Sequence, residues 1–249
     1  MSFNGEQADN HKEVLDLIPS NHWGEDVSVN TELVKSNLLE IKSKIVPCKP
    51  RIIGVTKYYG LNAIIRGYEA GLRDFGEARA LDAVDKIEQL PQEIRENSTF
   101  HFIGHLQTNK AEKVVRYFDY IHSVDSLKLA AKISDSACRL NKREKILLQV
   151  NNAGEEQKFG YNKEQLMADM SKILNLNGVE VTGLMNMAPL GAAEDVLHKT
   201  FRELREIRDE LEKKFGIKLP ELSMGMSDDY ETAVAEGATM IRIGRKLFT

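Results

Sequence analysis

The chain has 249 residues, 42% of them hydrophobic and 29% charged, with a formal net charge of −4. These figures are those of an ordinary globular protein, give no global basic footprint for nucleic acid, and leave no apolar run near the roughly 18 residues of a membrane span. Cys48 and Cys138 are its two cysteines, far apart and without His or Cys at ligand spacing. They read as plain thiols of a reducing cytoplasm, because a metal site needs a cluster and a secreted scaffold needs more cysteines.

Residues 1–29 are polar and mildly acidic, with neither a signal-peptide apolar stretch nor an Arg-rich targeting pattern. They are expected to form a loosely ordered arm, which Trp23 would pin to the body of the protein. Thr31 to Ile45 reads as an extra helix before the first strand, placed at the lower end of a barrel. Short apolar runs then alternate with longer amphipathic stretches. The runs are RIIGVTK (51–57), RDFGEA (73–78), FHFIG (100–104), YIHSV (120–124), KILLQV (145–150), VTGLMNM (181–187), ELSMGM (221–226) and TMIRIG (239–244). The longest amphipathic stretch aligns Val196, Phe201, Leu204, Ile207 and Leu211 on one stripe and stops at Gly216.

Strands apolar at nearly every position are buried on both faces, as in parallel sheets covered by helices. Strict β-then-α alternation implies right-handed crossovers, and eight units with no reversal favour closure over an open doubly wound sheet. The predicted fold is an α/β protein: a single (β/α)8 TIM barrel over residues 30–249, with an N-terminal helix added.

In such barrels chemistry sits at the carboxyl ends of the strands. Lys57 ends the first run, where its amine would point at the barrel mouth and be a candidate nucleophile for carbonyl groups; the alternative is a solvated surface charge. The seventh run ends in SMGMSDD, whose Ser223, Gly225 and Ser227 are small or hydroxyl-bearing. Ser227 is expected to cap the next helix, giving an anion site. The eighth ends in IRIGRK, where Gly244 allows close backbone approach and Arg242 and Arg245 supply charge. Barrels bind phosphate with these two loops. Strand eight adjoins strand one once the barrel closes, so an amine stands beside a phosphate cradle, which is what a pyridoxal-phosphate site needs.

Other candidates are weaker. His101 and His105 flank a strand end and lack zinc-pair geometry. His101 reads as a satisfied core residue, and His122 as a better candidate for the barrel mouth. Lys158 could reach the cofactor from the loop after strand five, and Lys110, Lys113 and Arg116 read as a solvated face. Met185, Met187 and Met224 belong to the core, and Met226 is placed against the ring.

The chain resembles the YggS/PROSC family of pyridoxal-phosphate homeostasis proteins and, more remotely, the barrel domain of alanine racemase. The resemblance is carried by VTK (55–57), FGEA (75–78), HFIGHLQTNK (101–110), HSVDS (122–126), LLQVNNAGEEQKFG (147–160), GLMNM (183–187), LSMGMSDD (222–229) and MIRIG (240–244). It implies a Schiff base between pyridoxal 5′-phosphate and Lys57. It also implies phosphate contacts from Ser223 and the backbone of Met224 to Ser227, including Gly225 and Met226, with Gly244 and Arg245. Arg242 would face the pyridine nitrogen, which weakens the ring as an electron sink.

The chain ends at Thr249, directly after strand eight, where racemases continue into a second domain. A cofactor buffer or carrier without turnover is therefore expected, delivering pyridoxal phosphate to apo-enzymes as a cytoplasmic monomer without nucleic-acid or membrane partners. A slow amino-acid racemase, or a Schiff-base barrel enzyme acting on a phosphorylated metabolite, are the alternatives. Two departures from the family pattern lie by the predicted ring face: Ala78 where an Asn is usual, and Tyr58–Tyr59–Gly60 where a proline often follows the lysine. The tail is also shorter than the usual one.

Overall fold

The computed structural model describes residues 29–152 and 159–249. The expected arm, Trp23 and Lys158 fall outside the described residues, apart from Val29, which is buried.

Eight parallel strands close into a barrel in sequence order. They are β1 (Arg51–Val55), β2 (Asp74–Glu77), β3 (Thr99–Phe102), β4 (Tyr120–Val124), β5 (Glu144–Gln149), β6 (Val179–Met185), β7 (Glu221–Ser223) and β8 (Met240–Ile243). The surrounding helices are α1 (Thr31–Lys44), α2 (Leu61–Glu69), α3 (Ala80–Gln89), α4 (Gln92–Glu96), α5 (Ala111–Tyr117), α6 (Leu127–Arg139), α7 (Lys163–Leu174), α8 (Glu194–Phe215), α9 (Tyr230–Ala235) and α10 (Arg245–Phe248). Local chemistry sets several boundaries. The side chains of Asn30, Ser126 and Asn162 accept from the Leu33, Leu129 and Gln165 N–H groups in the first turns of α1, α6 and α7, and Gly216 ends α8 at φ 64°. Among the described residues no helix is long and apolar enough to cross a membrane.

Alternation along the strands divides the core in two. The large core lies between sheet and helices, and a small one of Ile53, Tyr120, Leu147, Met185 and Met240 lies inside the barrel. The interior cluster is small because polar side chains fill the remaining inward positions. Ile53 pairs with Arg242, Ser223 with Met240, and His101 with Tyr120, which places Arg242, Ser223 and His101 on the inner face.

Three expectations are corrected. The apolar runs overreach the strands: β1 ends two residues before Lys57, and β7 stops at Ser223 because the chain turns at Gly225 with φ 89°. Val196 is 40% exposed and off the buried stripe of α8. Phe201 lies five positions on, a step that carries Val196 around the helix, and Leu197 packs on the core in its place. Helix α1 packs on the barrel's flank against α2 and α10 and not across the lower end. Helix α10 is only four residues long; Val34, Leu38 and Ile41 of α1 are buried, and Asn37 Nδ2 donates to the carbonyls of Leu247 and Thr249.

Candidate functional site at the barrel mouth

Lys57 stands two residues past the end of β1 and is partly exposed. Its Nζ lies 5.0 Å from the centre of the Tyr58 ring and has no hydrogen bond or ion pair among the described residues. The backbone beneath it is fixed from below. Thr56 Oγ1 donates to Glu77 Oε1 at 2.8 Å, Lys86 Nζ donates to the same oxygen at 2.9 Å, and Lys86 Nζ also donates to the Thr56 carbonyl at 2.9 Å. Glu77 and Lys86 are each 1% exposed, so this is a fully buried ion pair under the lysine's backbone. Val55 pairs with Gly76, so Ala78, two residues on, stands level with Lys57. The Ala78 carbonyl oxygen is packed so closely against Gly104 that a Cβ there would overlap it.

The loops after β7 and β8 are stitched together. Arg242 N–H donates to the Gly225 carbonyl at 3.0 Å, and Gly244 N–H donates to Ser227 Oγ at 3.4 Å. Gly225 is required at its position: its φ is 89°, and a Cβ would come within 2.6 Å of the Ala233 Cβ. Ser227 does not cap α9; that position belongs to Asp229, whose side chain turns back to accept from Met226 N–H. Asp229 lies half-buried, and burial pushes its carboxyl above the usual range. The N–H groups of Ser227 and Asp228, and those of Arg245 and Lys246, have no hydrogen-bond partner among the described residues. Four free amides from two adjoining loops form a cradle for an anion. Arg245 is 74% exposed and paired with Asp228 at 2.8 Å. Met226 borders a cavity of about 470 Å³, lined also by Met187, Leu190 and Leu197, a size suited to a small molecule.

Arg242 lies below this cradle. It is buried, and burial lowers its guanidinium to about 10, against the raising effect of Asp229, so it remains cationic at neutral pH. Nη1 donates to the Ser223 carbonyl at 2.7 Å and to Ser223 Oγ at 2.6 Å, and Nη2 donates to the Asn186 carbonyl at 2.8 Å. Ser223 is therefore engaged one step deeper than the amide cradle. Its Oγ also lies 2.9 Å from His122 Nδ1. His122 Nε2 lies 2.9 Å from His101 Nδ1, and His101 Nε2 lies 2.9 Å from Asp74 Oδ1. His122 is thus a buried residue of β4 and not a mouth residue. Its inward position buries it, and only its place before the loop had suggested otherwise. His101 is the satisfied core residue expected. His105 stands outside, its ring stacked on Phe159 with centroids 3.8 Å apart.

The polar chain inside the barrel and the Glu77–Lys86 pair are the features that residue-by-residue reading missed. A usable signal existed for the chain: Asp74, His101, His122, Ser223 and Arg242 all occupy inward positions of otherwise apolar strands. No spacing pointed to Lys86, which arrives from a helix.

Residues 29–249 match the family described as alanine racemase, N-terminal domain. A relative from Synechocystis, named pyridoxal phosphate homeostasis protein, is 42% identical over 203 residues, covering 82% of this chain and 92% of its own. PipY of Synechococcus elongatus, solved with PLP bound, is 38% identical with a TM-score of 0.79, over 87% of this chain and all of that one. An alanine racemase of Clostridium difficile shares the fold alone, at 16% identity and a TM-score of 0.71, over 88% of this chain and 60% of that one. With its closed barrel and these relatives, the chain belongs to the pyridoxal phosphate homeostasis protein family, built on the alanine racemase N-terminal domain.

Proposed function

We propose that the chain binds pyridoxal 5′-phosphate at this mouth as a Schiff base on Lys57, and that it holds, buffers and delivers the cofactor without turnover. One observation carries the reading. The amine of Lys57 and the amides after β7 and β8, without hydrogen-bond partners among the described residues, leave the same end of adjacent strands, since β1 pairs with β8. The amine answers an aldehyde, and the amide cradle answers a phosphate. The phosphate is held by the loop of Gly225, Met226 and Ser227 with Gly244 and Arg245, and Ser223 stands at the root of that loop.

Arg242 faces the ring nitrogen. When bound, the cofactor supplies an electron-withdrawing ring; Arg242, already cationic, disfavours a protonated nitrogen beside it and keeps that withdrawal weak. The names of the relatives, which are those of homeostasis proteins, support the same conclusion. The protein acts as a cytoplasmic monomer, and pyridoxal-phosphate-dependent apo-enzymes are its recipients.

The test is a visible absorbance spectrum with added pyridoxal phosphate, then borohydride reduction and peptide mapping. A band trapped on Lys57 is expected, and Lys57→Ala should lose it while keeping the far-UV spectrum of the fold. A band of full strength in that variant refutes the assignment. Exchange of the α-proton from both enantiomers of an amino acid would establish a racemase instead.

A further inference from the structure

The polar chain inside the barrel has a direction. Arginine has five N–H donors and no acceptor. Ser223 Oγ must therefore accept from Arg242 Nη1, and its own hydrogen is free to point to His122 Nδ1. His122 then carries its proton on Nε2 and donates to His101 Nδ1, and His101 carries its proton on Nε2 and donates to Asp74 Oδ1. The opposite sense fails at the far end. It would set an unprotonated His101 Nε2 against an Asp74 oxygen at 2.9 Å, two acceptors face to face, unless an extra proton were bound there. Burial pushes both imidazoles below their usual range, which disfavours such a proton on them. Arg51 Nε lies 3.6 Å from the same Asp74 oxygen at the lower end of the barrel. The His101 ring is also stacked on Tyr120, centroids 4.9 Å apart, so it cannot turn freely.

The chain ends on a guanidinium with three of its five donors committed among the described residues, two to Ser223 and one to Asn186. Its plane is thereby fixed, and Nε–H and one Nη2 hydrogen are left for a ligand. We propose that Asp74, His101, His122 and Ser223 form a one-way hydrogen-bond chain that positions Arg242 as a fixed donor toward the ring nitrogen of bound pyridoxal phosphate. The inference rests on the reading of the mouth given above and adds four positioning residues to it, one of them at the opposite end of the barrel. None of the four needs to touch the cofactor. A polarised chain holds its last member more firmly than isolated pairs would, because each bond strengthens the next.

Two measurements test it. The first uses the protein without cofactor: long-range ¹⁵N–¹H correlation spectra of the imidazoles from roughly pH 7 to pH 8, above the ordinary histidine value. Both His101 and His122 are expected as neutral Nε2–H tautomers throughout. An Nδ1–H tautomer or a charged ring at either position overturns the chain, whatever the mouth binds.

The second measures pyridoxal-phosphate affinity and the visible spectrum of the bound form. Ser223→Ala and Asp74→Leu are each expected to bind roughly tenfold more weakly, the effect of losing a hydrogen bond to a charged group, with a displaced band. Asp74→Asn keeps an acceptor for His101 and should stay within about twofold of the parent, since the bond survives. Ser223→Ala removes a single oxygen, so it remains a usable test if Asp74→Leu fails to fold. Parent protein that gives a band on Lys57, with unchanged affinity and band in Ser223→Ala, overturns the chain and leaves the mouth standing. Parent protein without a band overturns both.

Discussion

Lys86→Met is the most informative single perturbation of the barrel. The substitution keeps the apolar stem of the side chain and removes its ammonium from a site that is 1% exposed. Glu77, equally buried, then retains Thr56 Oγ1 as its hydrogen-bond donor at 2.8 Å but loses the neutralising charge 2.9 Å away. Breaking a buried pair from one side costs about 3–5 kcal/mol, because an uncompensated charge stays behind. For a chain of this size each kcal/mol moves the midpoint by about 2–4 °C, so a fall of roughly 6–20 °C is expected. The Thr56 carbonyl also loses its Lys86 donor, and since Thr56 precedes Lys57 the cofactor band should weaken with it.

The double variant Glu77→Leu, Lys86→Met removes both charges together. It should return to within about 2 kcal/mol of the parent, because apolar replacement of a whole buried pair is often neutral. Urea and thermal unfolding followed by far-UV circular dichroism measure both variants. If the single variant lies within about 1 kcal/mol of the parent, the size of a minor surface effect, the account of the pair is refuted.

Other expectations follow from the same geometry. Gly104→Ala puts a Cβ into the Ala78 carbonyl; backbone has to move, and a loss of about 1–3 kcal/mol is expected by urea titration, as for overpacking. A variant as stable as the parent would show that the two loops are not held together. Burial pushes the Glu144 carboxyl from 4.5 to about 7, against the opposing effect of Lys142. Between these values the folded chain keeps a proton that the unfolded chain releases, so stability should fall as pH rises through this window. Glu144→Gln should flatten that slope and be about 1–3 kcal/mol more stable than the parent near pH 8. An unchanged slope would mean that another group titrates.

Alternation of apolar runs with amphipathic stretches was enough to give the eight-stranded closed barrel, because both signals are local: each strand is buried on two faces and each helix on one. The stop at Gly216 and the position of Lys57 at the end of the first apolar run were equally legible. So was the family, through motifs such as HFIGHLQTNK and LSMGMSDD. Placement across the barrel was not. Ser227 reads as a helix cap until Asp229 is seen to turn back on Met226. His122 reads as a candidate for the barrel mouth until the closed sheet points it at Ser223, 101 positions away in sequence.

Lys86 shows the limit most clearly. On the sequence it is one surface-type lysine among many; only the docking of α3 against β1 and β2 drives its ammonium onto Glu77 and Thr56. Local sequence fixes what each element is and which face it buries. Which polar groups meet inside depends on barrel closure and register, quantities set by all eight strands together.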